Sequence, residues 1–261
     1  MPSNHAPAEV FGCSERARRP DSHRLGGHEP VSLFSPDARR LARAATDLDT
    51  DLMVRTVQAS IDDIGVVSTW EQLVQPVWHY LGSQTDDHDQ RVVSERIYVQ
   101  SAMKALSAAR RPPRLSPPSV LLACADEEVQ VFPLEALVAA LQESGASCCV
   151  LGARVPPYAL ANAAIRLRPP VVVIWSQSRE TADPAQIAIV LEAHPTSTMI
   201  AAGPGWSPAE LPPQAVRATD LSTALVLALA VLEGHTPPLT QPKAVSTRPG
   251  HVEEGSMTGA S

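Results

Sequence analysis

Two hydroxyls and two glycines stand where an open α/β sheet would receive a ligand. The apolar run from Val171 to Trp175 turns abruptly polar at Ser176-Gln177-Ser178. The next apolar run, Met199 to Ala202, ends in Gly203-Pro204-Gly205-Trp206. In such sheets ligands bind beyond the carboxyl ends of the strands. Ser176 and Ser178 supply hydroxyls for a polar ligand there, Gly203 and Gly205 let it come close to the backbone, and Trp175 and Trp206 either line the crevice or seal the interface between bundle and sheet. A second constellation is Glu128 with Gln130. A carboxylate beside a carboxamide suits a general base with a group that orients its substrate. No nucleophile or partner base lies near them in the chain, so catalysis is not expected.

Other chemistries find little support. Ser176 is not in a G-x-S-x-G elbow, and no glycine-rich phosphate loop of Rossmann or Walker type occurs. His79, His88 and His194 lack the mutual spacing of metal ligands. Asp86, Asp87 and Asp89 lack the glycine and bidentate glutamate of a calcium loop and read as a solvated loop. The four cysteines include no C-x-x-C pair and form no disulfide framework in 261 residues. Cys148 and Cys149, adjacent in a predicted strand, point to opposite faces of a sheet. A net charge of -7 argues against a nucleic-acid binder. The longest apolar candidate, Ala224 to Leu232, is too short to span a bilayer, and the N-terminal residues have no apolar leader. A cytoplasmic protein is expected.

Helical signals come first. Ser35-Pro36-Asp37 caps one helix, and Asp49 or Thr50 caps a second, which Gly65 ends. Ser68 or Thr69 caps a third, carrying Trp70 and Trp78 on one face as core, and a fourth follows the acidic loop. The proline-dense stretch from Arg110 to Pro118 reads as a semi-rigid linker. Beyond it, strands at Val120–Cys124, Cys148 to Leu151, Val171–Trp175 and Met199 to Ala202 alternate with helices at Pro133 to Glu143, Pro157–Leu167, Pro184–Ala193 and Leu221–Leu232. That alternation predicts a doubly wound parallel sheet. The expected fold class is α plus α/β: a tail at 1–34, a four-helix bundle at 35–109, a linker at 110–118, a Rossmann-like domain at 119–234 and a tail at 235–261.

From Ser35 to Glu233 this order resembles the sensor half of the cobalamin-binding, light-responsive MerR-type regulators. In that family a helical bundle covers the upper face of the corrin and an α/β domain holds the lower face. The resemblance sets Gly82 and Glu95 on kept positions of the bundle motif. Thr85 replaces the aromatic that packs over the ligand, and Arg96 replaces the histidine of an acidic–histidine pair. Glu128 matches the glutamate of a Glu-x-His signature, and Gln130 stands where the histidine would bind cobalt from below. A carboxamide is a poor ligand in place of imidazole. Ser176, Ser178, Gly203 and Gly205 lie where the family surrounds a buried nucleotide tail, with Ala202 in place of a further glycine. Arg96 is expected to fill the vacated space and to pair with Glu95, Glu128 or an anionic ligand.

The resemblance implies cobalamin as cofactor. The exchange at Gln130 predicts loss of the protein's axial imidazole and leaves another tetrapyrrole or small ligand open. No basic recognition helix precedes the bundle, so direct DNA binding is not expected. The reading drawn from the sequence is a regulatory protein acting by contact with a transcription factor or another regulatory protein. Two alternatives stand beside it: a corrinoid carrier subunit of a methyltransferase system, and a ligand-free module that forms homo-oligomers through its bundle.

Overall fold

A computed structural model describes residues 35–84, 88–109, 117–207 and 210–235. Both tails, most of the linker and Thr85 to Asp87 lie outside the described residues.

Helix α1 (Pro36–Thr46) begins where the sequence places it. The Ser35 hydroxyl accepts from the Ala38 amide at 3.1 Å, and Pro36 sits in the first turn, where no amide is needed. Asp49 caps α2 (Thr50–Thr69) in the same way, accepting from the Leu52 amide at 2.9 Å. Gly65 then breaks the helical geometry, with φ 80° and ψ 170°. The helix does not end in a loop as expected; it restarts at once. The cap of the restart is neither Ser68 nor Thr69 but Glu143, distant in sequence, whose two carboxylate oxygens each accept from the Val66 amide at 3.2 Å.

A widened turn, Trp70–Val74, follows, closed by a bond from the Gln75 amide to the Trp70 carbonyl. It precedes Pro76, whose ring cannot join the ordinary helical ladder. Helix α3 (Gln75–Ser83) continues from it, and α4 (His88–Ala109) lies antiparallel, its buried Tyr98 hydroxyl donating to the Val74 carbonyl at 2.7 Å.

The second half holds five parallel strands: β1 (Val120–Cys124), β2 (Cys148–Gly152), β3 (Val171–Trp175), β4 (Thr198–Ala202) and β5 (Ala215–Ala218), in the order β2-β1-β3-β4-β5. The fifth strand was not predicted; four residues behind Pro212-Pro213 carry too little periodicity to register. Helices α5 (Phe132–Glu143) and α8 (Leu221–Leu232) cover one face, and α6 (Pro157–Leu167) and α7 (Pro184–Ala193) cover the other. Side chains alternate accordingly. Val120, Leu122, Cys124, Val171, Val173 and Trp175 join the core shared with the bundle, while Leu121, Ala123, Val172, Ile174 and Trp206 join the opposite core. Cys148 and Cys149 divide between the two faces, as their adjacency predicts.

Helix α5 belongs to both halves. Nine of its residues are buried, because the sheet lies on one side and α2 and α4 of the bundle on the other. At its start Phe132 sits edge-on against Trp70, Trp78 and Tyr98, with ring centroids 5.0, 5.3 and 6.4 Å away. Edge-to-face aromatic contacts of this kind add about 0.5–1.5 kcal/mol each beyond burial. No helix among the described residues is long and apolar enough to cross a membrane.

Candidate functional site

The chain leaves β1 and β3 toward opposite sides of the sheet, so the strand order reverses between them. That reversal opens a crevice above their carboxyl ends. Here the crevice is bridged by Glu128, whose side chain is 3% exposed. One oxygen accepts from the Gln130 amide at 2.8 Å. The other accepts from the Gln177 amide at 2.8 Å, the Ser178 amide at 3.2 Å and the Thr181 hydroxyl at 2.9 Å. The carboxylate ties the loop after β1 to the loop after β3. With its acceptor positions engaged, it is not placed as a general base. It also reaches the chemistry below it: burial first, and the Glu128 charge second, push the Cys124 thiol up to about 12.

Of the two hydroxyls expected to face a ligand, Ser176 turns inward, while Ser178 is half-buried with its hydroxyl 3.5 Å from that of Thr181. Ser176 is fully buried; its hydroxyl donates to the Ser178 carbonyl at 2.7 Å and lies 2.7 Å from the Thr181 hydroxyl. The glycines serve the same closure. A methyl added to Gly203 would lie 2.3 Å from the Ser176 carbonyl. One added to Gly205 would lie 2.3 Å from the Ser178 carbonyl and 2.6 Å from the Ser176 hydroxyl. What approaches these glycines is the protein's own backbone. Trp206 is fully buried with its indole N–H on the Ile174 carbonyl at 3.1 Å, so it offers no wall to a ligand. Trp175 is also buried, its N–H reaching the Gln177 side chain at 3.3 Å.

An open cleft does exist, on the other side of this closure. About 550 Å³ in volume, it is lined by Trp78, His79, Gly82, Ser83 and Glu95 of the bundle and by Gln130 and Gln177 of the α/β half. Small-molecule sites commonly span about 300–1,000 Å³. Glu95 is held by the Trp78 indole, which donates to it at 3.1 Å, and the His79 ring packs on Trp78 with centroids 5.6 Å apart. Of the residues singled out by the resemblance, the cleft gathers Gly82, Glu95 and Gln130. Thr85 lies outside the described residues. Arg96 does not fill the vacated space. It follows Glu95 on α4, so it is turned roughly 100° around the helix, and it is exposed. The nearby cation is Arg91, which donates to the Gly82 carbonyl at 3.0 Å and pairs with His88 at 2.9 Å. Sequence reasoning missed His79, Ser83, Gln177 and Thr181. Adjacency to Trp78 and to the two serines could have drawn attention to His79 and Gln177, and adjacency to Gly82 to Ser83, but nothing marked Thr181.

These observations test the implied cofactor. Gln130 supplies no imidazole, and the positions assigned to a nucleotide tail are filled by the chain itself. The residues do not fit a cobalamin held by a protein ligand below with its tail buried. No group of three or more histidine, cysteine or acidic side chains among the described residues is placed to hold a metal ion.

No protein-family model and no curated protein matches the sequence. Solved structures do. The monomethylamine corrinoid protein of Methanosarcina barkeri superposes with a TM-score of 0.59 at 12% identity, over 74% of this chain and 96% of that one. Looser overlaps are found with the methanol:cobalamin methyltransferase complex of the same organism (TM-score 0.40, 14% identity, 85% and 88% covered). A cobalamin-binding protein from Desulfitobacterium hafniense DCB-2 overlaps similarly (0.35, 16%, 74% and 98%). The first establishes the fold class: a helical bundle on a five-stranded parallel sheet, as in corrinoid-binding proteins. The expectation of a transcription-related MerR-type regulator is corrected. The fold is matched by a monomethylamine corrinoid protein over 96% of that protein's length, not by a regulator.

Proposed function

We propose that this chain is a corrinoid-binding carrier of a methyltransferase system, itself without catalytic groups, which presents its ligand to a partner enzyme from the cleft between bundle and sheet. The observation that carries the reading is the cleft's position. It opens at the carboxyl end of the sheet, under the bundle, in a fold shared with a corrinoid protein. Its chemistry suits the rim of a corrin, which is studded with carboxamides. Gln130 and Gln177 each present an amide that donates and accepts, and Glu95 accepts. A bound corrinoid would supply the cobalt that carries a methyl group. The chain's own part is to hold and orient the ring.

The test is retention. Purified protein incubated with hydroxocobalamin and desalted is expected to keep about one equivalent of corrin absorbance, and Gln130→Ala, at an exposed residue of the cleft, is expected to keep less of it. A colourless wild-type protein with unchanged tryptophan fluorescence would remove the reading.

A further inference from the structure

We infer that this chain binds corrinoids without regard to their nucleotide tail, taking tail-less and complete forms alike. This rests on the carrier reading and specifies its ligand class.

The inference comes from how completely the floor of the cleft is closed. Glu128 draws the loops after β1 and β3 together through three hydrogen bonds, while a fourth fixes it to its own loop. Beneath this tie, Ser176 is fully buried with its hydroxyl engaged on two neighbours. Gly203 and Gly205 press so closely on the loop after β3 that neither has room for a methyl group. Trp175 fills the core on one face of the sheet and Trp206 the core on the other. An aromatic base on a ribose phosphate is many times larger than a methyl, so it has no place there. The protein therefore meets its ligand only from the cleft, through the ring and its amide rim. A nucleotide tail stays outside the protein, coordinated to its own cobalt or free in solvent, and contributes no contact.

The experiment is a pair of absorbance titrations of the full chain, with cyanocobalamin and with dicyanocobinamide, which lacks the nucleotide. The inference expects dissociation constants within about threefold of each other. Cobalamin binding at least about tenfold tighter than cobinamide would overturn the inference and leave the carrier reading standing. Retention of neither corrinoid would overturn both.

Discussion

Glu128 shows how one side chain decides what a binding crevice can be. A buried carboxylate with four donors is stable because each donor is charge-assisted. Removing it strands the amides of Gln130, Gln177 and Ser178. A stranded buried donor costs about 1–3 kcal/mol, so Glu128→Ala is expected to destabilise the protein by about 3 kcal/mol or more, read from the urea midpoint. Glu128→Gln is expected to rescue little, because its amide nitrogen must face N–H donors on one side or the other. A Gln variant as stable as wild type would show that charge and acceptor count do not matter there. The positions of Glu128, Ser176, Ser178, Gly203 and Gly205 were readable from the sequence, since each follows a strand. Their direction was not. Whether a hydroxyl faces a ligand or its neighbour depends on Thr181 and on the approach of the glycine turn, and no local pattern encodes either. Arg96 failed for a simpler reason: the substitution suggested a role that the helix turn denies it.

At the scale of elements, the break in α2 depends on two residues distant in sequence. The Gly65 backbone (φ 80°, ψ 170°) lies in a region that L residues avoid. Gly65→Ala is expected to cost about 1–3 kcal/mol. Glu143→Ala removes the Val66 cap and should cost about 1 kcal/mol. Together they are expected to cost less than the sum, because both act on the same restart; strict additivity in a double-mutant cycle would refute the coupling. The sequence located the break through glycine, but it could not locate a cap supplied from α5. Helix α8 has a local cap that titrates. Burial raises the Asp220 carboxyl, but hydrogen bonds from the Thr223 amide and side chain, Ser222 and Thr219 outweigh it and hold the group below its ordinary value of 3.8. A depressed acid contributes stability in full above its ordinary value and loses it as pH falls through the depressed one. Wild type should therefore lose stability relative to Asp220→Asn as pH drops below about 3.8, while the difference stays constant above it. A difference that is flat across the acid range would contradict this.

Over the whole molecule, the parallel sheet and most of its helices were legible because short β-branched and apolar runs alternate with capped amphipathic segments. The β5 strand, too short to carry a period, was not. Nor was the aromatic cluster that joins the halves legible, since Trp70, Trp78, Tyr98 and Phe132 are scattered through the chain and meet only after folding. Phe132→Ala removes its hub. Truncating a buried phenylalanine costs about 3–5 kcal/mol. This variant is expected to unfold at lower temperature in one transition, with bundle and sheet lost together; two separated transitions would mean that the halves are stable apart.

Helix α5, coated on one side by the sheet and on the other by the bundle, is covalently part of only one of them. A polypeptide cut between Ala109 and Pro117 would leave the carboxyl-terminal piece with the outer side of α5 bare and the amino-terminal piece with the matching hollow. Each fragment alone would be sticky and incomplete. Mixed, they should reassemble without any peptide bond between them, in the manner of a split reporter, with Phe132 as the plug and the tryptophans of the bundle as its socket.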